Sequence, residues 1–249
     1  MSKSYGLIID ERKPADYVLG AFTKLPEEVL QENGDWTDYL PLEEKQNIGL
    51  ESMACVTFTI LNCVEILIKR KYGEERNYSD RFLAAVSGTT KNGNSPQQVA
   101  EFLRKVGVVK EDVYPFNASG FDDFYKPLSP KLYELAKEFN EEWDFMHEFV
   151  EGKDIDTAIT YSPLLISVAA WFNDNGIYYR PKGMKDNHAT TYVKSMPDYR
   201  LVFDSYDSHL KKVHPGALPM VAKRFWIEKK KTKLSLYQML CKILSKIFQ

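Results

Sequence analysis

Three side chains in this sequence have the types that nucleophilic catalysis at a carbonyl group requires: the thiol of Cys55, the imidazole of His188 and the carboxylate of Asp204. A cysteine is a strong nucleophile as its thiolate, which a neighbouring histidine stabilises as an imidazolium. The same imidazolium later protonates the leaving group, while a third polar group holds the ring in the required orientation. The sequence therefore predicts a Cys–His–Asp triad, if the fold brings the three residues together.

The segment that would position Cys55 is a long apolar run. Residues 55–71 are mostly apolar, end in basic residues and precede Gly73, which predicts a buried helix with Cys55 at its start. The positive end of a helix dipole favours an anion, so this position suits a thiolate. Cys63 lies about 12 Å along the same helix, too far from Cys55 for a disulfide. We interpret Cys63 as a core residue.

The segments that would position His188 and Asp204 are two short strands. His188 opens the run HATTYVKSM, and Asp204 follows the run YRLVF. A turn at Pro197-Asp198 would join the two runs as a hairpin and place His188 near Asp204.

Helices and strands are unevenly distributed along the chain. Start signals at Ser79, Ser95-Pro96 and Ser129-Pro130 predict helices that extend to Gly88, to Gly107 and through about residue 150, and a short helix is expected at 156–160. After Ser162 the apolar runs are short and separated by turn residues, which predicts a mostly antiparallel sheet from LLISVAAWF, GIYYR, HATTYVKSM, YRLVFDSY and AKRFWIEK. This order indicates an α+β fold.

Composition excludes several classes of function. The chain has 249 residues, 44% of them hydrophobic and 27% charged, which is typical of a globular protein. The sequence has no run of about 20 apolar residues, so we expect no membrane span. The body is mildly acidic and carries no basic stripe interleaved with aromatic residues, so we expect no nucleic-acid binding. Basic residues concentrate in 223–249, which holds eight Lys or Arg and one acid.

Four segments in order resemble the papain and cathepsin family of cysteine peptidases. SMACVTF, around Cys55, resembles the family's segment at the start of the nucleophile helix. The text from 25 to 47 resembles its mature N-terminus, SPLLISVAAWFNDNGIYYRPKGMKDNHATTYV its histidine segment, and FDSYDS its Asn-Ser-Trp segment. His188 and Asp204 follow Cys55 by 133 and 149 residues, which matches the family's spacing of roughly 130 to 150.

The resemblance implies a papain-like two-lobed fold, with a helical lobe, an antiparallel β-sheet or barrel lobe, and the active-site cleft between them. It also implies hydrolysis of peptide or isopeptide bonds through an acyl-enzyme, with a peptide or protein substrate and no cofactor. Gln46 matches the family's glutamine that helps to bind the oxyanion. Asp204 replaces the family's asparagine, and Tyr206 replaces the tryptophan that shields the histidine.

The expected organisation is an N-terminal arm at 1–24, a catalytic domain at 25–228 and a basic amphipathic helix at 229–249. Without a long pro-region, the chain resembles compact bacterial or phage-encoded relatives. The absence of a signal peptide and of a disulfide framework predicts a cytoplasmic protein, virion-associated if phage-encoded. For the C-terminal helix, packing on the domain, binding to a membrane surface and docking to a partner protein stay open.

We expect His147, His209 and His214 at the surface. We expect no metal site, because these histidines lack ligand spacing with the cysteines.

Two rival functions stay open. One rival is an inactive papain-like module that serves assembly or partner binding in a phage or bacterial complex. The other is a different Cys–His–Asp enzyme, such as a transglutaminase or a cell-wall amidase.

Overall fold

The computed structural model describes residues 5–11, 13 and 26–231. Their core is a mixed arrangement of helices and one sheet. The helices are α1 (Cys55–Tyr72), α2 (Asp80–Val86), α3 (Pro96–Val106), α4 (Phe121–Phe124), α5 (Pro130–Glu142) and α6 (Ile155–Ala158). The strands are β1 (Trp143–Val150), β2 (Leu164–Val168), β3 (Phe172–Asp174), β4 (Ile177–Tyr179), β5 (His188–Ser195), β6 (Arg200–Phe203), β7 (Leu210–Val213) and β8 (Ala222–Lys229).

Helix α1 is the centre of the core. Every residue from Cys55 to Ile68 is buried, and the helix packs on β5, β8 and β2 on one side and on α2 and α3 on the other. Three basic residues in its last turn lie at the negative end of the helix dipole, and Gly73 ends the helix with its N–H bonded to the carbonyl of Lys69. The predicted buried helix is confirmed, although many of its residues are β-branched.

The sheet has eight strands in the order β1-β8-β2-β5-β6-β7-β4-β3. All pairs are antiparallel except β4 with β7. The expected hairpin is present, because β5 pairs with β6 and Ser195 stands opposite Arg200. The α+β class is therefore confirmed, and so are the helices predicted to start after Ser79 and Ser95.

One helix prediction was wrong in its second half. The helix that begins at Pro130 ends at Glu142, and residues 143–150 form β1 instead of continuing it. The side chains of β1 alternate between buried and exposed at its start, and the whole strand pairs with β8, from Trp143 opposite Lys229 to Val150 opposite Ala222. Tertiary pairing thus overrides local helix propensity. The sheet consequently takes a strand from the region that we predicted to be purely helical.

Two of the three histidines expected at the surface are buried. His147 is 4% exposed on β1, where its Nε2 lies 3.0 Å from Glu101 Oε1. His209 is 7% exposed and its Nδ1 lies 2.7 Å from the carbonyl oxygen of Asp204. His214 is exposed. Burial strongly lowers the pKa of His147, to about 3, which keeps it neutral inside the core.

The two ends of the chain are only partly described. Residues 5–11 of the predicted N-terminal arm lie against the domain. Lys229, where the basic C-terminal helix was predicted to begin, is instead the last residue of β8, and residues 232–249 lie outside the described part. Within the described part, no helix is long and apolar enough to cross a membrane.

Candidate active site

The Cys55 thiol lies at the first residue of α1 and is fully buried. The residue before it, Ala54, offers no side-chain cap to the helix. The first backbone N–H groups of a helix have no partner within the helix, so they present a positive field to the thiol. Cys55 and Cys63 are both free cysteines. Burial raises the pKa of the Cys63 thiol well above its usual value, which fits the interpretation of Cys63 as a core residue.

His188 and Asp204 form a buried pair at the ends of neighbouring strands. Nε2 of His188 donates to Oδ1 of Asp204 at 2.5 Å, and neither side chain is exposed to solvent. His188 opens β5, and Asp204 directly follows β6, its antiparallel neighbour. The predicted proximity of the two residues is therefore present in the structure.

The second ring nitrogen of His188 faces Cys55. Nδ1 is buried and makes no well-formed hydrogen bond to a described residue. Burial lowers the pKa of His188, but the negative charges of Asp204 and of the Cys55 thiolate outweigh burial and raise that pKa to about 10. The imidazole can thus be held in its charged form beside the sulfur, as a thiolate–imidazolium pair requires.

Three aromatic rings enclose the imidazole. Trp171 and Tyr206 lie 5.4 Å from the His188 ring, and Tyr5 lies 5.7 Å from it, measured between ring centroids. These rings exclude water from the His188–Asp204 hydrogen bond and thereby strengthen it. Tyr206 holds the shielding position expected of it, while the roles of Trp171 and Tyr5 were not anticipated.

Gln46 lies at the site and connects the two sides of the cleft. It is fully buried, its Oε1 accepts from Ser205 Oγ at 2.8 Å, and its backbone N–H donates to the carbonyl of Ser205 at 3.1 Å. Its Nε2 lies 2.8 Å from the Tyr206 hydroxyl, 2.9 Å from Glu51 Oε1 and 3.2 Å from the carbonyl oxygen of Tyr5. The sequence identified the glutamine but gave no sign of these partners.

Asp204 has a second partner that sequence reasoning missed. Nζ of Lys211 donates to Oδ2 of Asp204 at 2.8 Å, and the lysine side chain is 2% exposed. Burial raises the pKa of Asp204, but His188 and Lys211 together hold it below its usual value. Strand periodicity could have revealed Lys211, because it shares one face of β7 with Val213 and both are buried.

The described N-terminal segment crosses the same cleft. The N–H of Tyr5 donates to the carbonyl of Asn187 at 3.1 Å, next to His188. Two residues further, Leu7 forms a parallel bridge with Asn94, since Asn94 N–H donates to Gly6 O and Ile8 N–H donates to Asn94 O, both at 2.9 Å. We call residues 5–11 the cleft segment. It runs as an extended peptide from the sheet side of the site to the helical side.

The fit of the cleft segment depends on Gly6. Its φ is +108°, and a Cβ at this position would lie 2.1 Å from the carbonyl oxygen of Met53, two residues before Cys55. No L residue with a side chain could take this place without displacing one of the two backbones.

Among the described residues, no group of three His, Cys, Asp or Glu side chains could hold a metal ion.

Comparison by sequence finds no matching family model and no matching curated protein. Comparison by structure finds cysteine proteases. Xylellain, a cysteine protease from Xylella fastidiosa, superimposes with a TM-score of 0.67 at 19% identity, over 93% of this chain and 98% of xylellain. Procathepsin L2 from the Tenebrio molitor larval midgut gives 0.62 at 16% identity, over 89% of this chain and 77% of its own.

The plant enzyme bromelain from Ananas comosus, in complex with the E64 inhibitor, gives a TM-score of 0.57 at 19% identity, over 78% of this chain and 98% of bromelain. These likenesses cover between 78% and 93% of this chain. The chain therefore has the fold of the papain-like cysteine proteases.

Proposed function

We propose that this protein is a papain-like cysteine endopeptidase that hydrolyses peptide or isopeptide bonds through a Cys55 acyl-enzyme. The observation that carries the proposal is the buried His188–Asp204 pair, whose remaining ring nitrogen faces a free cysteine at a helix N-terminus. A structural cysteine has no need of a charged imidazole beside it, whereas a nucleophile does.

The reaction follows from this geometry in two steps. The Cys55 thiolate attacks the substrate carbonyl carbon, and the resulting oxyanion accepts hydrogen bonds from the Cys55 backbone N–H and from Nε2 of Gln46. His188 then gives its Nδ1 proton to the leaving amine, and a thioester remains on Cys55. Water attacks the thioester, His188 accepts a proton from that water, and the carboxylic acid product leaves as the thiolate is restored.

The cleft segment supports a peptide as the substrate class. The cleft holds an extended backbone through main-chain hydrogen bonds to Asn94 and Asn187, which are available to any peptide sequence. The carbonyl oxygen of Tyr5 also accepts from Nε2 of Gln46, so a peptide carbonyl already occupies the donor that the mechanism assigns to the oxyanion. The segment thus blocks the site as it stands, and a substrate must displace it.

The inactive module remains the alternative, with an unreactive Cys55 as its defining property. Hydrolysis of a mixed fluorogenic peptide pool separates the two functions. The full chain carrying Gly6→Ala, which opens the cleft, should cleave peptides, and adding Cys55→Ala should abolish cleavage. Cys63→Ala is the matched control, since Cys63 lies on the same helix and is equally buried. Undiminished cleavage by the Cys55→Ala protein would refute the proposal.

The reaction products distinguish a peptidase from a different Cys–His–Asp enzyme. A transglutaminase releases ammonia and joins an added amine to a glutamine side chain. A peptidase instead produces a new amino terminus and a new carboxyl terminus for each bond cleaved. Mass spectrometry of the products with an added primary amine therefore distinguishes the two reactions.

A further inference from the structure

Lys211 is a buried lysine whose ammonium group is completely hydrogen-bonded. It is 3% exposed, on the inward face of β7. Its Nζ donates to Asp204 Oδ2 at 2.8 Å, to the carbonyl of Tyr206 at 3.0 Å and to the carbonyl of Ser208 at 2.6 Å. An ammonium has three hydrogens and no acceptor, so these three oxygens match the charged form of the side chain.

The lysine and the histidine bind different oxygens of one carboxylate. Oδ1 of Asp204 accepts from His188 and Oδ2 accepts from Lys211. A buried carboxylate with one cationic partner would keep an unmatched charge whenever His188 is neutral. With Lys211 present, Asp204 stays paired through the whole cycle in which His188 gains and loses its proton. Trp171 covers the ammonium as well, with its ring 5.1 Å from Nζ.

Among Cys55, His188, Asp204 and Lys211 the charges balance only when Lys211 is included; the Glu51 carboxylate lies outside this set, against Gln46 and Tyr206. In the reactive state the thiolate and the carboxylate are negative, and the imidazolium and the ammonium are positive. Without Lys211 the site would carry an excess negative charge, which would hold the proton on His188 more tightly and hinder its transfer to the leaving amine. A neutral amide in place of Asp204 would orient the ring without needing a counter-charge.

We infer that Lys211 is a positioning residue of the catalytic site, which fixes the Asp204 carboxylate and offsets its charge so that Asp204 and Lys211 act together as a neutral orienting group for His188. The inference rests on the proposed function. It predicts that the two residues are needed as a pair, so that either one alone in the site is worse than neither.

The test is a double-mutant cycle in the full chain with Asp204→Asn, Lys211→Met and both together. The titration of His188 is followed by NMR of histidine-labelled protein, with His188 assigned from His188→Ala among the chain's four histidines. Lys211→Met should shift the pKa of His188 upward, and the double variant should bring it below the value in Lys211→Met. Lys212→Met, on the exposed face of the same strand, should leave the titration unchanged.

Thermal stability and peptide cleavage are measured for the same variants of the double-mutant cycle. Asp204→Asn leaves the buried Lys211 ammonium without its carboxylate, and Lys211→Met leaves Oδ2 of Asp204 without its charged donor, so both should have a lower Tm than the double variant. The kcat/KM values are measured with the cleft opened by Gly6→Ala. The kcat/KM of the double variant should be about tenfold or more higher than the value obtained by multiplying the effects of the two single variants. Strict additivity, or a His188 titration in Lys211→Met identical to wild type, would overturn the inference.

Different observations would refute the proposed function and the role of Lys211. If His188 in the unaltered chain titrates at its ordinary pKa, the thiolate–imidazolium pair is absent and the proposed function fails. If His188 shows the raised pKa but does not respond to Lys211→Met, the proposed function stands and the role of Lys211 is only structural.

Discussion

The carbonyl oxygen of Tyr5 accepts a hydrogen bond from Nε2 of Gln46 at 3.2 Å, so the chain's own backbone uses the donor that a substrate oxyanion would need. Tyr5 is also fixed on its other side, because its N–H donates to the carbonyl of Asn187. The state described by the structure is therefore a closed cleft, and the proposed function predicts that activity depends on releasing the cleft segment.

Gly6→Ala should open the cleft. An alanine Cβ would collide with the carbonyl oxygen of Met53, so the segment could no longer dock beside Cys55. Each lost backbone hydrogen bond is worth about 1 kcal/mol, and loss of two predicts a rise of about tenfold or more in the rate of peptide cleavage. Gly183→Ala is the matched control, because Gly183 also has a positive φ but has open space around it. An equal rate in wild type and Gly6→Ala would show that the segment does not obstruct the site.

Gln46→Glu should lower kcat by about 10²- to 10³-fold with little effect on KM, because it removes an oxyanion donor that acts in the transition state. The glutamate keeps the size of the glutamine and an acceptor for Ser205 Oγ, but it also brings a carboxylate against Glu51, so we expect a lower Tm beside the kinetic loss. Steady-state kinetics in the Gly6→Ala background, with Tm as the control for folding, measures the effect. A variant that retains wild-type kcat would remove Gln46 from the mechanism.

Peptide cleavage should persist to high pH and decline only as pH rises through about 10, because His188 must supply its Nδ1 proton to the leaving amine. The pKa of His188 is raised to about 10, so the imidazolium is retained below that value and lost above it. The stabilisation that this charge gives to the folded protein is lost in the same direction of pH. It is complete below the ordinary histidine pKa near 6.5 and disappears as pH rises through 10. The kcat for peptide cleavage by the Gly6→Ala chain from pH 5 to 11 provides the measurement. A decline centred near pH 6.5 would contradict the assignment.

A buried group of carboxylates should make the protein less stable as pH rises. Burial and the neighbouring Glu44, Glu65 and Glu111 raise the pKa of Asp80 well above its usual value, and Oδ1 of Asp80 has no hydrogen-bond partner. Burial also raises the pKa of Glu111, to about 7. Because the folded-state pKa values are raised, stability is complete below the ordinary carboxylate pKa of about 4 and falls as pH rises from there toward the folded-state values.

Asp80→Asn should therefore stabilise the protein at pH 8 and have little effect at pH 4. Urea unfolding at the two pH values gives the difference, which we expect at about 1–3 kcal/mol. Asp122→Asn is the control, since Asp122 is exposed in the first turn of α4. A loss of stability in Asp80→Asn at pH 8 would mean that the carboxylate is charged and satisfied in the folded protein.

The sequence predicted which residues meet at the candidate site better than it predicted their surroundings. Cys55, His188, Asp204 and Gln46 could be named as candidates because each has a local signal: a helix start, two strand ends and the resemblance of the segment EKQN. Lys211 was missed although it lies only seven residues after Asp204, because the strand periodicity of β7 was not used, whereas Tyr5 was missed because its role depends on contacts between distant segments. The strand at 143–150 was missed for the same reason, because its conformation comes from pairing with β8 rather than from its own propensity.

The most direct test of the proposed function is covalent labelling by an epoxysuccinyl inhibitor of the E-64 type, followed by intact mass. The Gly6→Ala chain should gain a single adduct, more rapidly than wild type. The adduct should persist in Cys63→Ala, slow strongly in His188→Ala and disappear in Cys55→Ala. A folded Gly6→Ala chain that gains no adduct, or a Cys55→Ala chain that is labelled as fast as its parent, would contradict the assignment of Cys55 as an activated nucleophile.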